Sequence, residues 1–296
     1  MMAGVLPDVV QQRVDEFLRM LDEVLPGQVS GFYLVGSIAL GAFRPGRSDI
    51  DFIALMEGEL DGAGVRRLAR RLQHTHLLRA WADIGRGRWP LQCNGVYLHE
   101  EDLAISPDRV APLASHVTHK VEVGAGFAAN PVMWRELQLG GIALRGPEVE
   151  RLKIHYDDRE LRDWTLANMN DYWAGWARAI RSSATSRRRA SVIRQAGVPW
   201  AVLGVPRLHH TVRTGQIISK EQAGEYSLDV FDAEWHPLIN HALAYWRGTS
   251  SPVGLPDRDS QHRLARAADF VDMVIDDANP QTPEARGSEP VVFGNE

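Results

Sequence analysis

The sequence predicts a two-part chain, an α/β half followed by an all-helical half. Three observations carry that reading. Up to about residue 100, short apolar runs of strand length alternate with stretches of helical period. Beyond about residue 147 only the helical period persists. Between them lies a less regular stretch containing Gly124, Gly126, Gly140, Gly141 and Gly146.

The first half opens with a helix expected over 9–25, where Val10, Val14, Phe17, Leu18, Leu21 and Leu25 form one apolar stripe. Strands are expected at 32–35 and 51–56. A helix over 64–80 places Val65, Leu68, Ala69 and Leu72 on one face and arginines on the other, and a strand over 93–98 is entered through Pro90. This αβαβαβ-like order is what a small layered α/β domain needs. Residues 101–146 read as loops and short elements packed on the sheet. The second half starts at the acidic pair Asp157 and Asp158, which suit a helix N-terminus. Leu161, Trp164, Met169, Tyr172, Trp173, Trp176 and Ile180 then follow at helical spacing. The Ser/Arg-rich run SSATSRRRAS breaks the pattern, and further helices are expected at 199–213, stopped by Gly215, at 233–246 and at 261–275. The expected division is 1–147 and 148–279, with a disordered polar tail at 280–296.

Composition narrows the class. A net charge of −5 speaks against a general nucleic-acid binder. The single cysteine, Cys93, excludes an intrachain disulfide and fits a reducing compartment. MMAGVLPDVVQQ does not read as a signal peptide, and no apolar stretch approaches the ~20 residues that span a bilayer. A cytoplasmic protein is expected, without membrane or nucleic-acid partners, as a monomer or weak dimer. His74-Thr75-His76 and His209-His210 lack a third ligand at zinc-type spacing and read as surface or satisfied core histidines.

The candidate chemistry lies in FYLVGSIALGAFRPGRSDIDFIALM. Leu34 and Val35 lead a strand into a Gly36-Ser37 corner. Asp49 and Asp51 then open the next strand, two apart and so on one side of it. Alone, Asp-x-Asp is an ordinary polar entry to a strand; the corner upstream at this spacing turns the reading to a site. Two hard carboxylates suit one or two Mg²⁺ ions, whose remaining ligands are water and substrate phosphates. Gly36 permits close backbone approach to a phosphate, and Ser37 can donate its hydroxyl to it.

These motifs resemble the nucleotidyltransferase superfamily that includes DNA polymerase β and the antibiotic adenylyltransferases. The resemblance implies a small mixed sheet backed by helices, two Mg²⁺ ions, and transfer of a nucleoside monophosphate with release of pyrophosphate. The segment Ile142-Ala143-Leu144-Arg145-Gly146-Pro147, the run from Arg207-Leu208 through Arg213-Thr214-Gly215-Gln216 to Ser219-Lys220, and Trp235-His236-Pro237 are similar to the aminoglycoside 3''-adenylyltransferases. By that match Lys220 would contact nucleotide phosphate, ATP would be the substrate, and a small molecule, an aminoglycoside among the candidates, would be the acceptor.

Two departures accompany the resemblance. The family's general-base glutamate on the third strand aligns with Gln92, and an amide cannot accept the proton. Asp83, Glu100 and Glu122 are the candidate substitutes. The acid-rich sequence that holds a cationic drug is replaced by Gly197-Val198-Pro199-Trp200, and the family tryptophan at best by Phe127. Two alternatives therefore stand beside small-molecule adenylylation: a non-catalytic nucleotide-binding regulator, and an enzyme acting on protein or RNA, the latter prompted by Arg187-Arg188-Arg189.

Overall fold

The computed structural model describes residues 6–58, 62–64, 66–72, 74, 91–117, 120–124, 129–182, 190–249 and 259–279. The expected tail at 280–296, Arg187 to Arg189, His76, Asp83 and Phe127 lie outside these residues.

Helix α1 (Asp8–Val24) precedes strand β1 (Val29–Val35), the short helix α2 (Gly36–Ala39) and strand β2 (Ile50–Met56). Strands β3 (Cys93–Leu98), β4 (Ala114–Val117) and β5 (Lys120–Val123) follow, then helix α3 (Pro131–Gly140) and strand β6 (Ile142–Arg145). The six strands form one mixed sheet in the order β5-β4-β3-β2-β1-β6. Strands β2 and β3 run parallel, and the other neighbours are antiparallel.

The central strands read as unbroken apolar runs because both faces of the sheet are covered. On one face Phe32, Leu34, Phe52, Ala54 and Tyr97 meet Val10, Val14, Phe17 and Leu21 of α1, with Leu68 and Leu72 of the helical residues 66–72. On the other, Tyr33, Val35, Ile53, Leu55, Val96 and Leu98 meet Met133, Trp134 and Leu137 of α3. Side chains alternate faces along a strand, so Asp51, two before Ile53, lies on the α3 face.

The region 101–146 is more ordered than expected. It holds the β4–β5 hairpin, a ten-residue helix and the edge strand β6. Helix α3 was hidden by its brevity and glycine-rich flanks; Asn130, whose Oδ1 accepts from Met133 N at 3.0 Å, and Pro131 supply its start.

Helix α4 (Asp158–Asn168) begins at Asp157, whose carboxylate accepts from the amides of Arg159 and Glu160 at 2.7 and 3.0 Å. A π-helical turn at Met169–Trp173 joins it to α5 (Ala174–Ser182). The long α6 (Ala190–Thr214) is central to this half, followed by α7 (Lys220–Val230), α8 (His236–Arg247) and α9 (Asp259–Ala278). Helix α6 starts nine residues before the expected 199: Pro199 sits inside it, not at its first turn, as does Pro206. Packing of Val198, Val202, Leu203 and Val205 against Trp235, Ile239, Leu243, Phe270 and Val274 outweighs the lost hydrogen bonds. Helix α7, absent from the sequence reading, carries a signal that reading left unused. Ser219 N donates to Gln222 Oε1 at 2.9 Å and Gln222 N to Ser219 Oγ at 3.3 Å, a capping box.

Candidate active site

The site forms where the apolar α3 face of the sheet runs out, at the C-terminal end of β1 and the N-terminal ends of β2 and β3. Strand β1 ends at Val35, and Gly36 turns the chain with φ +64°. A Cβ added there would sit 2.3 Å from Asp51 Oδ2, so both the left-handed backbone and the nearby carboxylate call for glycine. The next residue, Ser37, has an enclosed Oγ with no hydrogen-bond partner. An unpartnered buried hydroxyl is costly in a folded chain, and a ligand oxygen would satisfy it.

Register sets the acids. Asp51 lies opposite Val35 on one side and Asn94 on the other. Asn94 Nδ2 donates to Asp49 Oδ2 at 3.3 Å, so the amide that reaches the acid pair is at 94, two residues beyond Gln92. Gln92 holds the edge of the site through its main chain, accepting from Ile50 N at 2.8 Å. Asp49 keeps solvent contact in the cleft, and Asp51 is set deeper. The surrounding protein pushes both carboxyls upward. Asp51 reaches about 7, driven by burial and by the negative charges of Glu136 and Asp49. A site that crowds carboxylates to this degree suits a cation. Among the described residues no cluster of three or more His, Cys, Asp or Glu is placed to enclose a metal. Mg²⁺ held by Asp49 and Asp51 would complete its shell with water and phosphate oxygens, its usual habit.

The opposite wall comes from the helical half. Lys220, at the first turn of α7, is close enough to Asp49 and Asp51 to feel both charges, and its Nζ lies 4.6 Å from the centre of the Trp246 ring on α8. Burial and the neighbouring Arg207 lower its ammonium to about 8 despite the two acids. Arg207 of α6 points into the same space, its Nε donating to Ile218 O at 2.9 Å and its Nη2 lying 3.4 Å from Glu136 Oε1. Glu136 comes from α3 and is 7% exposed; burial raises its carboxyl, and Arg207 and the nearby Gly36 amide pull it back down. Around the rim, Arg44 pairs with Glu221, Arg247 Nε reaches Glu221 at 2.7 Å, and Arg47 Nε donates to Tyr245 O at 3.1 Å.

The structure thus brings Gly36, Ser37, Asp49, Asp51 and Lys220 together. Glu100 stands beyond the opposite end of β3, and Glu122 on β5 is three strands from β2, about 14 Å at ordinary strand spacing. Arg207 entered the sequence reading only as part of a motif. Glu136 was missed altogether, though a glutamate between Trp134 and Leu137 on an apolar helix face is itself a signal. His209 is a satisfied core histidine: it meets Tyr226 Oη and Asp277 Oδ2, both at 2.8 Å. Trp173 is buried and stacks on Trp200 at 4.2 Å, beside the partly buried Trp176.

Comparison with known proteins bears on both halves. Residues 14–84 match the nucleotidyltransferase domain, and residues 169–275 match the C-terminal domain of aminoglycoside adenylyltransferase. Among solved structures, the spectinomycin adenyltransferase AAD(9) from Enterococcus faecialis, determined with ATP and spectinomycin, superimposes with a TM-score of 0.63 at 12% identity. The match covers 90% of this chain and 99% of that one. No curated protein matches. Two domain matches in the right order thus give a nucleotidyltransferase domain followed by one similar to the C-terminal domain of aminoglycoside adenylyltransferase, on a sheet-and-helix fold shared over nearly its whole length with AAD(9).

Proposed function

We propose that the protein transfers AMP from Mg²⁺-bound ATP to a hydroxyl of an aminoglycoside-type small molecule, releasing pyrophosphate. The observation that carries this reading is the meeting, in one cleft, of two carboxylates, an unpartnered buried hydroxyl and two cationic side chains from the facing wall. Asp49 and Asp51 would hold Mg²⁺, which would supply neutralisation of the charge that develops on the phosphates. Ser37 Oγ donates to a phosphate oxygen. Lys220 offers a point charge to the same group, and its lowered ammonium stays mostly protonated at pH 7. The acceptor hydroxyl enters from the open side, where Asp49 meets solvent. The division of labour falls near Pro147, whose carbonyl is tied to the sheet by Tyr33 Oη at 2.9 Å.

A second reading, nucleotide binding without turnover, is favoured by the amides of Gln92 and Asn94 where a third acid would serve as base. Phosphoryl transfer leans chiefly on positioning and charge, so the missing base slows the reaction without forbidding it. The test is pyrophosphate release with Mg²⁺, each nucleoside triphosphate and an aminoglycoside panel including streptomycin and spectinomycin. Release with ATP and one drug supports transfer. Silence across the panel, with ATP bound by calorimetry, favours binding alone or a macromolecular acceptor.

A further inference from the structure

We propose that Glu136 is a positioning residue that joins the Gly36-Ser37 corner to the Lys220 turn; the proposal rests on the nucleotidyl-transfer reading above. Glu136 sits on the face of α3 that carries Met133 and Leu137 into the core, where a carboxylate is out of place unless it is partnered. Its partners lie in different halves of the molecule. The Gly36 amide, at the corner, is near enough to favour its charged form, and Arg207 Nη2 donates to its Oε1 at 3.4 Å. Arg207 continues the chain: its Nε donates to Ile218 O at 2.9 Å, two residues before Lys220. Glu136 and Arg207 therefore bridge from beside Gly36 to Ile218, linking the turn that presents Ser37 to the turn that presents Lys220.

A buried ion pair is a poor source of net stability compared with apolar residues of the same volume, so its place here points to alignment. Its burial also keeps Glu136 from reaching substrate, and it acts through Gly36 and Arg207. Without the carboxylate, Arg207 would be left to share Asp51 with Lys220, and the two like charges would drive the 216–220 turn outward.

Three variants of the full chain test this: E136Q, R207Q and the double variant. Glutamine keeps an acceptor for Gly36 N–H and removes only the charge. Two readouts are taken, ATP affinity with Mg²⁺ by calorimetry and amide hydrogen exchange of the nucleotide-free protein. E136Q should weaken ATP about tenfold. The double variant should be no weaker than R207Q, because Glu136 works through Arg207. Exchange should quicken in E136Q at residues 216–220, with the rest of the helical half unchanged. Additive losses in the double variant, or unchanged exchange at 216–220, would overturn the proposal. If the unaltered protein binds no nucleotide, the proposed function falls, and exchange at 216–220 alone decides the role of Glu136. Should E136Q not fold, R207K takes its place. It keeps the charge but loses the fork, and normal exchange with normal ATP affinity would overturn the link.

Discussion

On the sheet wall of the cleft, Asp49 and Asp51 are placed by strand register, with Val35 and Asn94 fixed on either side of Asp51. On the helical wall, Arg207 and Lys220 are placed by a side chain bonded to a loop carbonyl and by a capped helix start. Register admits no small adjustment, since a one-residue slip turns every side chain to the other face. A cap and a loop can yield by fractions of an ångström. Substitutions on the sheet wall should therefore abolish function, and those on the helical wall should grade it.

The largest effect is expected from D49N/D51N, which should reduce pyrophosphate release by about a thousandfold or more and remove Mg²⁺-dependent ATP binding. The fold should survive. Asp51 is held near 7 against a usual carboxyl value of about 3.9, so the folded state favours the protonated form. The charged Asp51 therefore costs stability increasingly as pH rises from about 4 to about 7, and D51N should remove that slope and raise the melting temperature at pH 7.5. Undiminished Mg²⁺-dependent binding by the double variant would break the comparison on its stronger side. G36A comes next. It places a Cβ against Asp51 Oδ2 on a left-handed residue, and should destabilise by about 1–3 kcal/mol while lowering turnover. Thermal melting and pyrophosphate release read both effects.

The same contrast explains what the sequence made legible. Strands β1, β2 and β3 were readable because coverage on both faces makes them continuous apolar runs. The acid pair was readable because its motif lies within one short stretch. The sheet's antiparallel additions, β4 to β6, escaped because they are short and separated by glycine-rich turns. Asn94 escaped as the amide touching the acids because that role depends on parallel pairing across a gap of more than forty residues, where register cannot be read from spacing. Glu136 lies 85 residues beyond Asp51, and only folding brings the two together. Helix α7 was legible in principle, through Ser219 and Gln222, and was obscured by its weakly apolar sequence.

On the helical wall, K220M should weaken ATP binding by about tenfold, a graded loss. Its pH dependence is sharper than its size. Burial lowers the ammonium to about 8, so affinity should fall as pH rises through that value. K220R keeps its charge throughout and should flatten the profile between pH 7 and 9. A profile in the unaltered protein that stays flat to pH 9.5 would remove Lys220 from the phosphate.

The smallest effect on nucleotide binding is expected away from both walls, at His209. Its links to Tyr226 and Asp277, with Arg213 Nη2 2.8 Å from the same carboxylate, staple α6, α7 and α9. Burial lowers the imidazole below its ordinary value, outweighing the opposing pull of Asp277. The unfolded chain then takes the proton first, and stability declines as pH falls from about 6.5 toward the folded value. Asp277 is lowered in turn by Arg213 and His209, so its own contribution is lost only further into acid. H209Q should flatten the dependence of melting temperature between pH 7 and 5, and cost about 1 kcal/mol at pH 7 through the altered hydrogen bonds. ATP affinity at pH 7.5 should change less than in K220M, because the staple ends short of the 216–220 turn. Equal losses in the two variants would mean that the packing of the helical half, and not the local hold on Arg207 and Lys220, sets the position of the cationic wall.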